Sequence, residues 1–307
     1  MRGRYTPHLI LLALIAIWSA SFVVSKVALR ALSPSGLVAA RFWLAVVCML
    51  PFLGRNAGRE LRRAVGPGLA AGGALGLGYL LQMEGMLGTS ASMGGLLAGL
   101  IVPLVAVGGF VCFGARMGGL AIVGLMMAIG GIGAICWPAE AADGQPADSL
   151  TGILLQVGAS ASYAGHVLML SRFGRTQPVA ALAFWQLLLV AGLGTGLALA
   201  HHGFAPAATA GVAVDGMTWS AELVGALLYL GVMATAVGIG VQSKVQHLVP
   251  QAHVPLLFAM QPLFAAVCGA AFQGDRLGPL QFVGGGLIVL GVLVTSLDRP
   301  RDAPPTG

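Results

Sequence analysis

"WSASFVVSKVALR", residues 18–30, stands between two readings. The segment before it is basic and then apolar: Arg2 and Arg4, followed by His8 through Ile17. Ser19-Ala20-Ser21 has the small-x-small form that closes a secretory leader. The alternative is a helix that stays in a membrane, and the rest of the chain decides between them. "SASF" at 19–22 returns as "SASY" at 160–163, and "FW" at 42–43 returns as "FW" at 184–185. "LQ" at 81–82 matches "VQ" at 241–242, and "PLVAVGGFVCFGAR" at 103–116 matches "PLFAAVCGAAFQGDR" at 262–276 with one inserted residue. Gly124 and Gly131 match Gly284 and Gly291. The chain therefore reads as two homologous halves, 1–138 and 150–298, joined near Pro138–Ser149, with 299–307 as a tail. Cleavage at Ser21 would delete one of a matched pair of helices, so the opening stretch is expected to be retained.

Composition names the solvent. The chain is 57% hydrophobic and 8% charged, against about 25% charged residues in soluble domains. Apolar runs near 20 residues recur at about 8–28, 34–53, 66–86, 91–112, 119–137, 150–170, 178–200, 221–243, 251–272 and 279–297. A chain crossing lipid must satisfy its own backbone hydrogen bonds, and these runs lack the alternation of a barrel strand, so each predicts a helix. The expected fold is an all-α integral membrane protein with ten transmembrane helices. Each half holds five, an odd number, so the second half enters the membrane inverted, as two inverted five-helix repeats. Such repeats are a feature of secondary transporters.

Net charge is +6, with only two lysines and no long basic run, so nucleic acid is not an expected partner. Placement of the cations is more informative. With the N-terminus inside, Arg2, Arg4, Arg55, Arg59, Arg62, Arg63, Arg116, Arg172, Arg175, Lys244, Arg299 and Arg301 are cytoplasmic. Only Arg30 and Arg276 fall in outer loops, and Lys26 and Arg41 lie within or near spans. Both termini are then cytoplasmic in a multi-pass protein of the cell membrane. No G-x-x-x-x-G-K-[ST] sequence is present and no segment outside the spans exceeds about 20 residues, which leaves no ATPase domain in this chain. Cys48, Cys112, Cys136 and Cys268 lie in apolar stretches without a C-x-x-C pair and read as small buried residues. Neither metal nor cofactor is expected.

Several residues stand out inside the spans. Gly68, Gly72 and Gly76, and Gly95 and Gly99, are four apart, which puts bare backbone on one helix face for packing or for sliding. Pro103 and Pro262 occupy matched positions and predict kinks in the fourth and ninth spans. Polar side chains in lipid are costly and face the bundle interior. Trp18, Ser21, Tyr79, Gln82, Tyr163, His166, Gln242 and Gln261 are the candidate substrate-binding residues, with Gln186 also polar within a span. Each could equally serve as interhelical glue, and His166 reads better as a structural histidine than as a proton shuttle. Arg41, about 10 Å deep by helical rise, and Glu84 are candidate gating or ion-pair residues, paired with each other or separately at the interface. Lys244 is the repeat partner of Glu84, but inversion would place the two at opposite mouths.

The order of "IWSASFVVSKVALR", "GLVAARF", "GYLLQMEGMLGTSASMGGLLAGLIVPL", "YLGVMATAVGIGVQSKVQHL", "QPLFAAVCGAAFQGDRL" and "GGGLIVLGVLV" resembles the EamA-type transporters of the drug/metabolite transporter superfamily. The resemblance covers nearly the whole chain. It implies a ten-helix bundle with a central cavity and secondary transport of small organic metabolites such as amino acids or drugs, often export. The family often has Gly-Glu-Arg after the fourth and ninth spans; here "GAR" at 114–116 has lost the acid that "GDR" at 274–276 keeps in shorter form. A small-molecule substrate and the lipid bilayer are the implied partners. A passive channel on the same scaffold is the alternative. A membrane enzyme is disfavoured, because no H-E-x-x-H, G-x-S-x-G or paired-carboxylate spacing occurs.

Overall fold

The computed structural model describes residues 6–54, 57–113, 118–136, 148–174, 176–200, 220–245, 257–258, 260–276 and 278–297, without the side chains of residues 113, 135–136, 242–244 and 296. All regular structure among them is helical. In chain order the helices are α1 (Thr6–Ala28), α2 (Pro34–Met49), α3 (Ala57–Leu87), α4 (Ala91–Ala98), α5 (Ile101–Phe113), α6 (Gly119–Cys136), α7 (Leu150–Phe173), α8 (Val179–Ala200) and α9 (Ala221–Leu228). A π-helical segment, Tyr229–Val237, continues α9 into α10 (Gly238–Val245), and α11 (Gln261–Gln273) and α12 (Pro279–Ser296) follow. Among the described residues, seven stretches are long and apolar enough to cross a membrane: Thr6–Ala28, Pro34–Phe52, Ala57–Leu87, Ala91–Cys112, Leu150–Phe173, Val179–Ala200 and Ala221–Val241. Gly119–Ala134 and Pro279–Thr295 are shorter apolar helices.

One end of the bundle is organised by serine caps. Ser33, Ser90, Ser149 and Ser220 each accept the backbone N–H three residues on, at 3.0–3.1 Å, and so open α2, α4, α7 and α9. A side-chain oxygen there satisfies a donor the helix cannot, which matters most where no water competes. The bonds Asp148 and Asp275 make are at this end too. Asp148 accepts from Ser90 N–H (2.6 Å) and from Gln281 Nε2 (3.1 Å), and Asp275 accepts from Ser92 N–H (2.8 Å). Two carboxylates thus sit on the first turn of α4, where the free N–H groups and helix dipole favour negative charge.

The motif that opened the sequence reading ties one half to the other. Ser19, in the first "SAS", shares its Oγ proton between the carbonyl of Ile15 in its own helix (2.8 Å) and that of Gln261 at the start of α11 (3.0 Å). Ser160, in the second, donates to the carbonyl of Leu97 near the end of α4 (2.9 Å). Each half therefore lends a hydroxyl to the interrupted helix of the other. The glycines behave similarly. A Cβ on Gly131 would lie 2.6 Å from the Gly284 carbonyl oxygen, and one on Gly124 would meet the Gly291 carbonyl and Thr295. Gly124 and Gly131 thus face Gly291 and Gly284 in reverse order, so α6 and α12 pack antiparallel. Gly95 and Gly99 receive Ala265 and Pro262 of α11. Gly72 receives Gln186 Cα of α8, 2.9 Å from where a Cβ would stand. All these stripes seat a neighbouring helix, the packing reading of their four-residue spacing.

Three local features differ from expectation. The fourth span is not one kinked helix: it breaks at Gly99–Leu100, and Pro103 lies in the first turn of α5. Pro262 likewise lies in the first turn of α11. First-turn N–H groups have no intrahelical partner, so proline loses no hydrogen bond there; both prolines begin helices rather than bend them. The eighth span contains the π-helical segment, in which Thr235 Oγ donates to the carbonyl of Leu230 five residues back (2.8 Å). The described cysteines are not fully buried: Cys112 is exposed, Cys48 is half-buried, and Cys268 is half-buried against the main apolar core. Apolar surface facing lipid gains nothing from burial in the protein, so a cysteine on that side carries no penalty.

Candidate functional site

Arg41 is the centre of the interior polar cluster. It lies midway along α2 and is only 3% exposed. Its Nε donates to Thr235 Oγ of the π-helical segment (2.7 Å) and its Nη2 to Tyr79 Oη of α3 (3.2 Å). The guanidinium also lies over the Tyr79 ring, 4.7 Å from its centroid, with Phe42 at 5.9 Å. Tyr79 meets Phe42 and Tyr163 edge to face at 4.7 and 5.4 Å. From α7, Tyr163 donates its hydroxyl to Gln82 Oε1 (3.1 Å). Gln156, one of the largest fully buried side chains, donates to the Gln82 carbonyl (3.2 Å). A chain of hydrogen bonds and ring contacts thus runs from the π-helical segment through Arg41, Tyr79 and Tyr163 to Gln82.

The other candidates fall around this chain. Trp18 donates its indole N–H to the carbonyl of Ala234 (2.7 Å), and Tyr229 its hydroxyl to that of Ile17 (2.7 Å), so α1 is fastened to the π-helical segment at two points. A π-helix frees carbonyls from the regular ladder, which is why such segments collect at functional sites. Ser21 bonds back to the carbonyl of Trp18 within its own helix. His166 Nε2 meets Gln186 Oε1 at 2.6 Å, while Gln186 Nε2 holds the carbonyl of Leu182. This contact braces α7 against α8. Gln261 is half-buried and engaged through its carbonyl by Ser19. The side chains of Gln242 and Lys244 lie outside the described residues. Arg41 takes Thr235 and Tyr79 as hydrogen-bond partners, and Glu84 is exposed on α3.

The EamA-like transporter family model matches residues 6–137 and again 150–297. The chain belongs to the EamA-like transporter family. It is an all-helical, multi-pass membrane protein whose relatives are transporters. An uncharacterized transporter of Archaeoglobus fulgidus is 25% identical over 287 residues, 93% of this chain and 84% of that one. The uncharacterized transporter YwfM of Bacillus subtilis is 26% identical over 169 residues, 52% of this chain and 50% of that one. A crystal structure of a protein at 18% identity has the same fold, with a TM-score of 0.64 over 99% of this chain and 100% of the other.

Residues that sequence reasoning missed are instructive in this transporter. Thr235 holds Arg41, yet in the register that matches "LQ" with "VQ" its counterpart is Leu75, so the repeat gives no hint of it. Gln156 could have been found by the criterion that found Gln82, an amide within a span. Asp148 lies just before α7, and burial pushes its carboxyl above the ordinary 3.8; the hydrogen bonds from Ser90 oppose that shift. A carboxyl raised on folding adds stability that is complete below about pH 4 and is lost as pH rises through the raised value. Asp148→Asn, a mimic of the protonated form, should therefore melt with the wild type near pH 4 and above it at pH 7. Thermal melts at the two pH values check this.

Proposed function

We infer that this protein is a secondary transporter of small organic metabolites, acting by alternating access between two inverted five-helix halves. The observation that carries the reading is a buried cation built into an interface between the halves. Arg41, Tyr79 and Gln82 come from the first half, and Thr235 and Tyr163 from the second. Inversion is supported by two reciprocal patterns. Gly124 and Gly131 match Gly284 and Gly291 in the repeat but meet them crosswise, as an isologous two-fold contact requires. The matched serines Ser19 and Ser160 each reach a carbonyl of the other half, though Gln261 and Leu97 are not themselves counterparts in the repeat. Among the described residues, seven long apolar stretches and two shorter apolar helices, Gly119–Ala134 and Pro279–Thr295, supply nine of the ten crossings this reading requires, and α11 would be the tenth.

In this arrangement the Ser-capped end faces outward and both termini are cytoplasmic in the cell membrane, with export as the favoured direction. An exporter's periplasm-only reporter fused after Gly307 should be silent; activity there would refute the orientation. Purified protein in liposomes should move solute without any nucleotide, driven by a gradient alone. A strict requirement for ATP in that preparation would refute secondary transport.

A further inference from the structure

We propose that the outward face of α3 holds one anionic phospholipid, with its phosphodiester on Arg59, Arg62 and Arg63 and an acyl chain over Gly66, Ala70 and Gly73. This lipid site follows from the chain's spanning a membrane, whatever solute it carries. α3 is 31 residues long, about 46 Å by helical rise, and the hydrocarbon core is about 30 Å thick. Its apolar run begins at Ala64, so the two turns before it stand in the headgroup region, at the end opposite the serine caps. Between residues 50 and 80 the chain has four arginines and a single acid, Glu60. Arg59, Arg62 and Arg63 are exposed, and among the described residues no salt bridge to an acid holds them. Like charges three and four residues apart oppose helix formation, and the positive end of the helix dipole adds to the repulsion. A phosphodiester among the three guanidinium groups reverses both effects and accepts their N–H donors.

The surface below the arginines favours a lipid over a soluble anion. Arg59, Arg62, Arg63, Gly66, Ala70 and Gly73 fall within an arc of about 100° around the helix at 3.6 residues per turn. Neighbouring helices cover the other sides of α3: Trp185 of α8 packs on Gly68, and Gly72 and Gly78 receive Gln186 of α8 and Tyr163 of α7. On the arginine side nothing lies within 4 Å of a Cβ at Gly66 or Gly73, and Ala70 between them is exposed. These three small residues make a shallow trough that opens to lipid directly below the cations. Trp185 also donates its indole N–H to the carbonyl of Leu61 (2.9 Å), on the same turn as the arginines. An indole with a polar tip belongs at the membrane–water boundary, so it marks the level of the headgroups. Arg63 is fixed there by a hydrogen bond from Nη2 to the carbonyl of Thr176 (2.9 Å). A free phosphate would use the cations and leave the trough empty, whereas a phospholipid fills both.

The test is native mass spectrometry of the full chain in dodecyl maltoside, with dioleoylphosphatidylglycerol and dioleoylphosphatidylcholine supplied in equal amounts. The two lipids share their acyl chains and phosphodiester and differ in net charge. The wild type should retain one phosphatidylglycerol with a preference of at least about tenfold, the pull expected of three cations at a headgroup. Arg59→Gln/Arg62→Gln should bring the two lipids to within about twofold of each other. Arg30→Gln, a cation removed at the opposite end of the molecule, should keep the wild-type preference. Ala70→Leu/Gly73→Leu, which fills the trough and keeps the arginines, should lose the bound phosphatidylglycerol. Excess inorganic phosphate should not displace it. The lipid site is overturned if the wild type shows no preference, or if the preference survives loss of the two arginines or filling of the trough. It is equally overturned if Arg30→Gln removes the preference or inorganic phosphate displaces the lipid. The wild-type comparison decides the question even if a double variant does not fold, and its failure leaves the transport reading untouched.

Discussion

Gly131→Ala should destabilise the protein by about 1 kcal/mol and at most about 2, although alanine is the better helix former. The added Cβ would stand 2.6 Å from the Gly284 carbonyl oxygen and 2.8 Å from Ile288 Cγ1. The first is backbone and cannot rotate away, so α6 and α12 must separate along their whole contact. Overpacking of this kind costs about 1–3 kcal/mol, which outweighs the roughly 1 kcal/mol that alanine gains over glycine in a helix. Gly130 and Gly133 are the internal control, because nothing lies within 4 Å of a Cβ at either. Gly130→Ala and Gly133→Ala should melt at or above the wild type. A Gly131→Ala protein that melts with these controls would mean that α6 and α12 do not approach as closely as described.

Gln82→Ala should weaken transport through the site rather than the fold. Gln82 is 8% exposed, and its Oε1 accepts the hydroxyl of Tyr163. Truncation leaves that hydroxyl without its acceptor beside Tyr79 and Arg41. If Gln82 bonds the substrate, the lost hydrogen bond costs about 0.5–1.5 kcal/mol, so half-saturation should rise roughly 2–13-fold. The variant should still insert in the membrane and melt cooperatively. If it transports with wild-type half-saturation, or fails to fold, Gln82 is interhelical glue.

The two predictions differ in how much of their basis was legible in the sequence. The glycine contact was readable in part. Repeat matching paired Gly124 with Gly284 and Gly131 with Gly291, and a small residue in lipid invites a close helix approach. The crosswise meeting of those glycines needed coordinates. Gln82, Tyr79 and Tyr163 were legible as polar groups in apolar runs, because lipid exposes such residues to a penalty that burial removes. Arg41 was legible as a charge, but its partner was not. Glu84 is the obvious acid by sequence, whereas the actual partners are hydroxyls, one of them on a π-helical turn that no proline or motif announces. Pro103 and Pro262 were visible as interruptions, and a proline read alone does not say whether it bends a helix or begins one.

Alternating access is the central claim, and counterflow tests it most directly. Vesicles carrying the protein are preloaded with unlabelled solute, choosing any compound they release without nucleotide, and then given a trace of the same labelled compound outside. A carrier that exchanges one bound molecule for another should concentrate the label transiently inside, above its equilibrium level, with no nucleotide and no ion gradient. Label that only equilibrates, with the same time course in preloaded and empty vesicles, would contradict alternating access and leave a passive channel on the same scaffold.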